Sequence, residues 1–154
     1  MSTEVELRVT LATHPDAAVL LAAYLDELRE RLGAFDPARS VSAEPTEMAP
    51  PGGVFLVMYE DARPIACGGV KTLSPGVAEI KRMFVAPAAR GRGHGRRLLA
   101  ALEEAAASLG LRRIVLDTAA PLAEAARLYQ AAGYREIPPY NDNPYAARWF
   151  EKTL

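Results

Sequence analysis

Four arginines and three glycines occupy the eight residues Arg90-Gly91-Arg92-Gly93-His94-Gly95-Arg96-Arg97. Guanidinium groups meet phosphate oxygens bidentately, and glycine lets a backbone approach a ligand closely with φ values that other residues resist. A strand-like run, residues 78–85, leads into this loop, and a helix-like run, residues 98–109, leads out of it. The junction therefore offers the free N–H groups of a helix start to whatever binds there. Arg96 and Arg97 fall in what reads as the first helical turn, where a cation opposes the helix dipole by about 0.3–1 kcal/mol. A bound anion reverses that penalty, so the pattern reads as a site for a multiply phosphorylated ligand. The plainer alternative is a glycine-punctuated surface turn with solvated arginines.

The spacing narrows the choice of anion. A dinucleotide G-x-G-x-x-G would need glycine at Arg96 or Leu98, and no Gly-Lys-Ser/Thr follows the loop. Arg-x-x-Gly-x-Gly does fit, on Arg90, Gly93 and Gly95. This resembles the acetyl-coenzyme A pyrophosphate loop of the GCN5-related N-acetyltransferase (GNAT) superfamily. The resemblance covers roughly residues 54–154 and is strongest from Glu79 to Tyr134. It takes in the strand, the loop, the helix, a strand at residues 114–117, and Leu128-Tyr129 followed by Gly133-Tyr134. The tail Tyr140, Asn143-Pro144 and Phe150-Glu151-Lys152 is similar to a bacterial subset of small single-domain members.

The resemblance implies site residues. Backbone groups of Met83, Phe84 and Val85 should hold the pantetheine arm. The N–H groups of Gly91, Arg92, Gly93, His94, Gly95 and Arg96 should take the pyrophosphate, with Arg90 and Arg96 adding charge. Arg92 and Arg97 face either water or a ribose phosphate. The family also implies an asparagine seven residues before the tyrosine, where this chain has Leu122.

The implied reaction moves an acetyl group from a thioester to an amine, with no metal and no covalent enzyme intermediate. A lysine-type amine titrates near pH 10.4, so its neutral form costs about 4.6 kcal/mol at pH 7 and a general base is needed. The resemblance points to Glu79, on the strand entering the loop; the structural alternative is an ion pair with Lys81, two residues on along the same strand face. Tyr129 matches the family's acid, protonating a leaving thiolate, and otherwise packs on the inward stripe of its helix. Asp117 ends a strand where it could touch an amine, and Lys81 and Arg82 suit a carboxylate-bearing acceptor such as an amino acid. Tyr140, Tyr145, Trp149 and Phe150 line an acceptor pocket, a dimer contact or the core. Cys67 reads as a buried filler, His94 as a loop residue and His14 as a surface residue at a helix start.

These groups need elements to position them. Alternation predicts a strand over residues 5–11, and Thr13-His14-Pro15-Asp16 opens a helix over residues 17–32 that Gly33 ends. Residues 36–53 read as a loop with room for one short helix, either a flap or a connection. Residues 54–59 and 65–73 form a hairpin through Glu60-Asp61-Ala62-Arg63-Pro64, and residues 77–85 a further strand. Leu98, Leu102, Ala105 and Leu109 define one buried helical stripe. Pro121 opens a second helix, with Leu122, Ala125, Ala126 and Tyr129 inward, and residues 134–137 and 148–154 are the last strands.

The 154 residues suffice for one domain, and half are apolar with about a quarter charged, as in soluble globular chains. The net charge of −1 conceals +5 between Glu79 and Arg97 and −6 elsewhere. A local positive patch on an acidic chain suits a small polyanion better than a nucleic-acid duplex. One cysteine excludes an internal disulfide and any cysteine metal cluster. No membrane-length apolar run and no leader pattern are present, so the expected location is cytoplasmic.

The expectation is therefore one α+β N-acetyltransferase domain, residues 1–154, with a mixed, mostly antiparallel sheet of about seven strands flanked by helices. The sheet should splay between residues 78–85 and 114–117 to admit acetyl-coenzyme A. The acceptor should be the primary amine of a small molecule, with homodimerisation through the last strands by family analogy. The rival reading is a non-catalytic acetyl-coenzyme A-sensing module. A third, nucleic-acid binding through the arginines, predicts steep salt dependence.

Overall fold

The structure, a computed structural model, describes residues 4–39, 43–119 and 123–154. Strand β1 (Val5–Thr10) runs antiparallel to β2 (Gly53–Glu60), and helix α1 (Pro15–Leu32) lies between them in the chain. His14 caps α1, its Nδ1 accepting from the Asp16 N–H at 3.1 Å, and Pro15 takes the first helical position. Residues 36–53 contain two short 3-10 turns, Pro37–Arg39 and Pro45–Met48, rather than one.

The expected hairpin joins β2 to β3 (Arg63–Ser74), with Asp61 and Ala62 both left-handed at φ 49 and 68. That two-residue turn is tighter than the sequence implied, because paired left-handed residues match the twist of the strands they join. Strand β4 (Val77–Val85) is antiparallel to β3. The chain then passes through α2 (His94–Ser108), β5 (Arg113–Thr118), α3 (Ala123–Ala131), β6 (Arg135–Ile137) and β7 (Arg148–Thr153).

The seven-stranded sheet has the order β1-β2-β3-β4-β5-β7-β6, and only β4 and β5 are parallel. Alternation in the strands buries both faces. One packs Leu98, Leu102 and Tyr129 of the two later helices on Ile80, Leu116 and Phe150; the other packs Ala17 and Leu20 of α1 on Phe55, Val57 and Phe84.

Two features position the site. Pairing between β4 and β5 consists of Val77↔Arg113, Ala78↔Ile114 and Glu79↔Val115, after which the strands part. The expected mixed fold and its splay are therefore both present. The register between β3 and β4 also slips between Cys67 and Gly69, and Arg82 at the slip is left-handed, φ 59. An extra residue of this kind bends its strand and re-aims side chains.

Phe150 is fully buried, with its ring centroid 5.9 Å from that of Tyr129. Phe150→Ala should lower unfolding stability by about 3–5 kcal/mol, read as a drop in the urea midpoint.

Candidate active site

The phosphate-binding pattern is built on backbone. After β4 the chain reverses through Gly91 (φ 80) and Gly93 (φ 82) into α2. Other residues would pay about 1–2 kcal/mol for such angles. Gly93 caps α2 without a side chain, and the Arg97 N–H closes the first turn onto the Gly93 carbonyl at 3.1 Å. The N–H groups of His94, Gly95 and Arg96 precede that bond and face out of the helix start. No acidic side chain occupies the first turn. Gly95 lies close to α3: a Cβ there would stand 3.3 Å from Leu128 Cδ2, a tight contact that would have to be relieved by a small shift of that side chain.

His94 departs from its expectation as a loop residue. It is the first residue of α2 and is buried, because the left-handed Gly93 starts the helix four residues before the apolar stripe does. Its Nε2 stands 3.5 Å from Glu60 Oε2 without a hydrogen-bond partner.

A cavity of about 340 Å³ opens in front of this loop. Met83, Phe84 and Val85 line one wall, Arg90, Gly91, Gly93, His94 and Gly95 the loop end, and Leu128 and Tyr129 the α3 side. The glycine loop, the outward N–H groups and the unpaired edge of β4 suit a ligand with a diphosphate at one end and amide groups along its length.

The arginines divide. Arg90 faces the cavity but is engaged, with Nε donating to the Val85 carbonyl (2.9 Å) and a terminal nitrogen to Glu27 Oε2 (2.6 Å). Glu27 also pairs with Arg31 (3.0 Å), which pairs with Glu124 (2.6 Å) on α3, so ion pairs bridge α1 to α3 beside the loop. Arg92 turns away and grips Glu60 with two hydrogen bonds of 2.6 and 2.9 Å. The Arg96 and Arg97 side chains are exposed.

A second cavity, about 110 Å³, lies at the other mouth of the splay. Its walls include Tyr24, Leu28, Phe35, Lys81, Arg82, Asp117 and Tyr145. Tyr24, Leu28, Met83, Ala125 and Tyr129 line both cavities. The Tyr129 hydroxyl donates to Met83 Sδ at 3.8 Å, a weak acceptor. Burial, reinforced by Tyr24 and Asp117, pushes the Tyr129 phenol well above its ordinary range. Burial likewise pushes Tyr24 up to about 12. Both are neutral donors at physiological pH.

Asp117 is the carboxylate facing this second cavity. Its two oxygens accept from Asn141 Nδ2 (2.7 Å) and Asn143 Nδ2 (3.3 Å), and Asn141 Oδ1 in turn accepts from Trp149 Nε1 (2.9 Å). Tyr145 lines the cavity, its ring tilted against that of Phe35 with centroids 4.6 Å apart, and its hydroxyl accepts from the Asp36 N–H at 2.9 Å. Glu79 lines neither cavity. It is 1% exposed, accepts from the Tyr140 hydroxyl at 2.6 Å, and stands 3.5 Å from Lys81 Nζ, which is itself 4.0 Å from Asp117. The ion-pair alternative for Glu79 is thus realised.

Cys67 is buried, its thiol pushed up to about 12 by desolvation, with Sγ 3.5 Å from the Arg82 carbonyl. The position of Leu122 lies outside the described residues. Asn141, Asn143 and Tyr24 were missed as site residues. The turn-rich composition of residues 138–144 marked a loop, but nothing in it signalled that the loop folds back onto the end of β5. Among the described residues, no three His, Cys, Asp or Glu side chains gather as metal donors, and no helix is long and apolar enough to cross a membrane.

Comparison with known proteins gives a consistent result. The model of the Acetyltransferase (GNAT) family matches residues 17–134. An IAA acetyltransferase of Azospirillum brasilense is 33% identical over 95% of this chain and 98% of its own length. Among solved structures, an acetyltransferase of the GNAT family from Staphylococcus aureus Mu50 superposes with a TM-score of 0.81 at 18% identity, covering 98% of this chain and 99% of that one. The PaiA N-acetyltransferase of Thermoplasma acidophilum, solved in complex with coenzyme A, superposes at 0.75 with 14% identity, covering 98% and 99%.

The competition at Arg90 is measurable with inorganic pyrophosphate. By calorimetry, Glu27→Gln should tighten binding about two- to five-fold by freeing the guanidinium, whereas Arg90→Ala should weaken it about ten-fold.

Proposed function

Because the chain belongs to the Acetyltransferase (GNAT) family, we propose that it transfers the acetyl group of acetyl-coenzyme A to the primary amine of a small molecule by direct attack. The observation that carries this reading is that Tyr129 lines both cavities, with its hydroxyl against Met83, which also lines both. A thioester arriving along one and an amine arriving from the other converge there.

In this reading the edge of β4 at Met83, Phe84 and Val85 takes the amide-bearing arm. The N–H groups of residues 91–96 take the diphosphate, and Arg90 exchanges Glu27 for phosphate. The Thermoplasma neighbour, of the same fold, was solved with coenzyme A, which supports coenzyme A as the ligand. Holding both reactants at the junction converts a bimolecular encounter into an oriented one.

The incoming ammonium must lose a proton, and the Asp117 carboxylate is the acceptor that faces it. Glu79 contributes from behind: its buried charge fixes Lys81 beside Asp117, and Tyr140 fixes Glu79. The base role expected of Glu79 is therefore exercised through its neighbours. Tyr129 serves the departing sulfur. A phenol pushed above 10 is a weaker acid than a thiol near 8.5, so its main contribution is a hydrogen bond to the developing thiolate.

The test follows thiol release from acetyl-coenzyme A with a panel of amines. Tyr129→Phe and Asp117→Asn should each lower kcat about a hundred-fold, and Glu79→Gln should lower it less. The rate should rise with pH as the amine loses its proton, without a fall from Tyr129 ionisation below about pH 10, since its phenol is shifted upward. Unchanged kcat in both Tyr129→Phe and Asp117→Asn would remove these assignments. Thermal stabilisation by acetyl-coenzyme A with no turnover on any amine would favour a binding module instead.

A further inference from the structure

We propose that the smaller cavity is a receptor for a zwitterion, a small amino-carboxylate in which Arg82 binds the carboxylate and Asp117 the ammonium. The inference rests on the reading of that cavity as the acceptor side.

Arg82 is the first argument. It is a non-glycine residue held left-handed at φ 59 in the bulge of β4, and it lines the cavity. Such conformations persist where the surroundings impose them, and a bulge re-aims the side chain it carries. Its guanidinium is half-buried, yet its hydrogen bond is to a neutral group, the Ala43 carbonyl at 3.5 Å. Among the described residues no carboxylate pairs with it. A partly desolvated guanidinium is an unusual thing to leave without an anion.

Charge balance is the second. Lys81 is matched by the buried Glu79 at 3.5 Å. Lys81 also reaches Asp117, at 4.0 Å, so with Glu79 and Arg82 these four side chains balance, and Arg82 and Asp117 are one positive and one negative group lining the same cavity. Tyr24 lines that cavity with them, and its phenol feels both charges, Arg82 lowering and Asp117 raising its pKa. A simple ammonium would satisfy Asp117, leave Arg82 unmatched and add a third cation near Lys81. A polyamine would be worse. A simple carboxylate would satisfy Arg82 but carries no amine to be acetylated. A molecule carrying both groups satisfies both sites.

Size and lining complete the description. The cavity holds only about 110 Å³, and Leu28, Phe35 and Tyr145 give it an apolar rim. The fitting ligand therefore has a short apolar body between or beside its two charges, as an α-amino acid does.

The experiment compares kcat/KM for thiol release across the twenty common α-amino acids, their amides, and alkylamines of matched size. Amidation lowers an amine's pKa and leaves more of it neutral, so any preference for the free acid runs against intrinsic reactivity. The best amino acid should exceed its own amide and the matched amine by about ten- to a hundred-fold, mainly through KM. Arg82→Asn, a residue that tolerates left-handed backbone, should collapse the acid-to-amine ratio to near one. Should acids, amides and amines be turned over equally by the wild-type protein, the carboxylate receptor is overturned while acetyl transfer stands. If no amine of any kind releases thiol although acetyl-coenzyme A binds, acetyl transfer itself is overturned and this inference goes with it.

Discussion

Strands β4 and β5 lie side by side for three residue pairs and then separate. The site depends on that separation. Backbone N–H and C=O groups in a sheet demand partners, and an edge inside the molecule is costly until something bonds to it. An extended, amide-bearing ligand arm is the natural occupant, because it can continue the hydrogen bonding the missing strand would have supplied. Tyr129 lines both cavities beside that gap. The bulge at Arg82 lies in the stretch of β4 that has left β5, and Arg82 lines the smaller cavity.

Three of the six cations of the segment from Glu79 to Arg97 rest on carboxylates. Arg90 rests on Glu27, Arg92 on Glu60 and Lys81 on Glu79. This explains how a segment carrying +5 folds within a chain of net charge −1. Arg90 and Glu27 are both partly accessible at the cavity wall, and exposed pairs of this kind are weak. The Glu79–Lys81 pair is a different case. Both members are nearly sealed from solvent, so breaking it by removing one partner would leave a buried charge, and it acts as a fixed part of the framework.

Local chemistry made much of this legible. Glycines at 91, 93 and 95 with flanking arginines announced an anion site; two of them take left-handed angles and the third packs closely on Leu128. Period and punctuation located all seven strands and the three helices. The errors came where contacts between distant segments decide. His94 entered the helix because Gly93 supplies a left-handed cap, an angle that cannot be distinguished from an ordinary loop glycine by residue type. The burial of Glu79 was likewise not legible: residues 138–144 fold back and set Tyr140 against it. The support of Asp117 by Asn141 and Asn143 arises from the same long-range return, so no spacing within β5 could reveal it.

Amide hydrogen exchange with and without acetyl-coenzyme A addresses the central claim directly, because it reads the backbone groups themselves. The account predicts slowed exchange at residues 91–96 and along the β4 edge at residues 80–85, with Arg135–Ile137 of β6 unchanged. Saturating ligand that leaves the loop amides exchanging at their free rate, or protects only segments away from β4 and the start of α2, would contradict it.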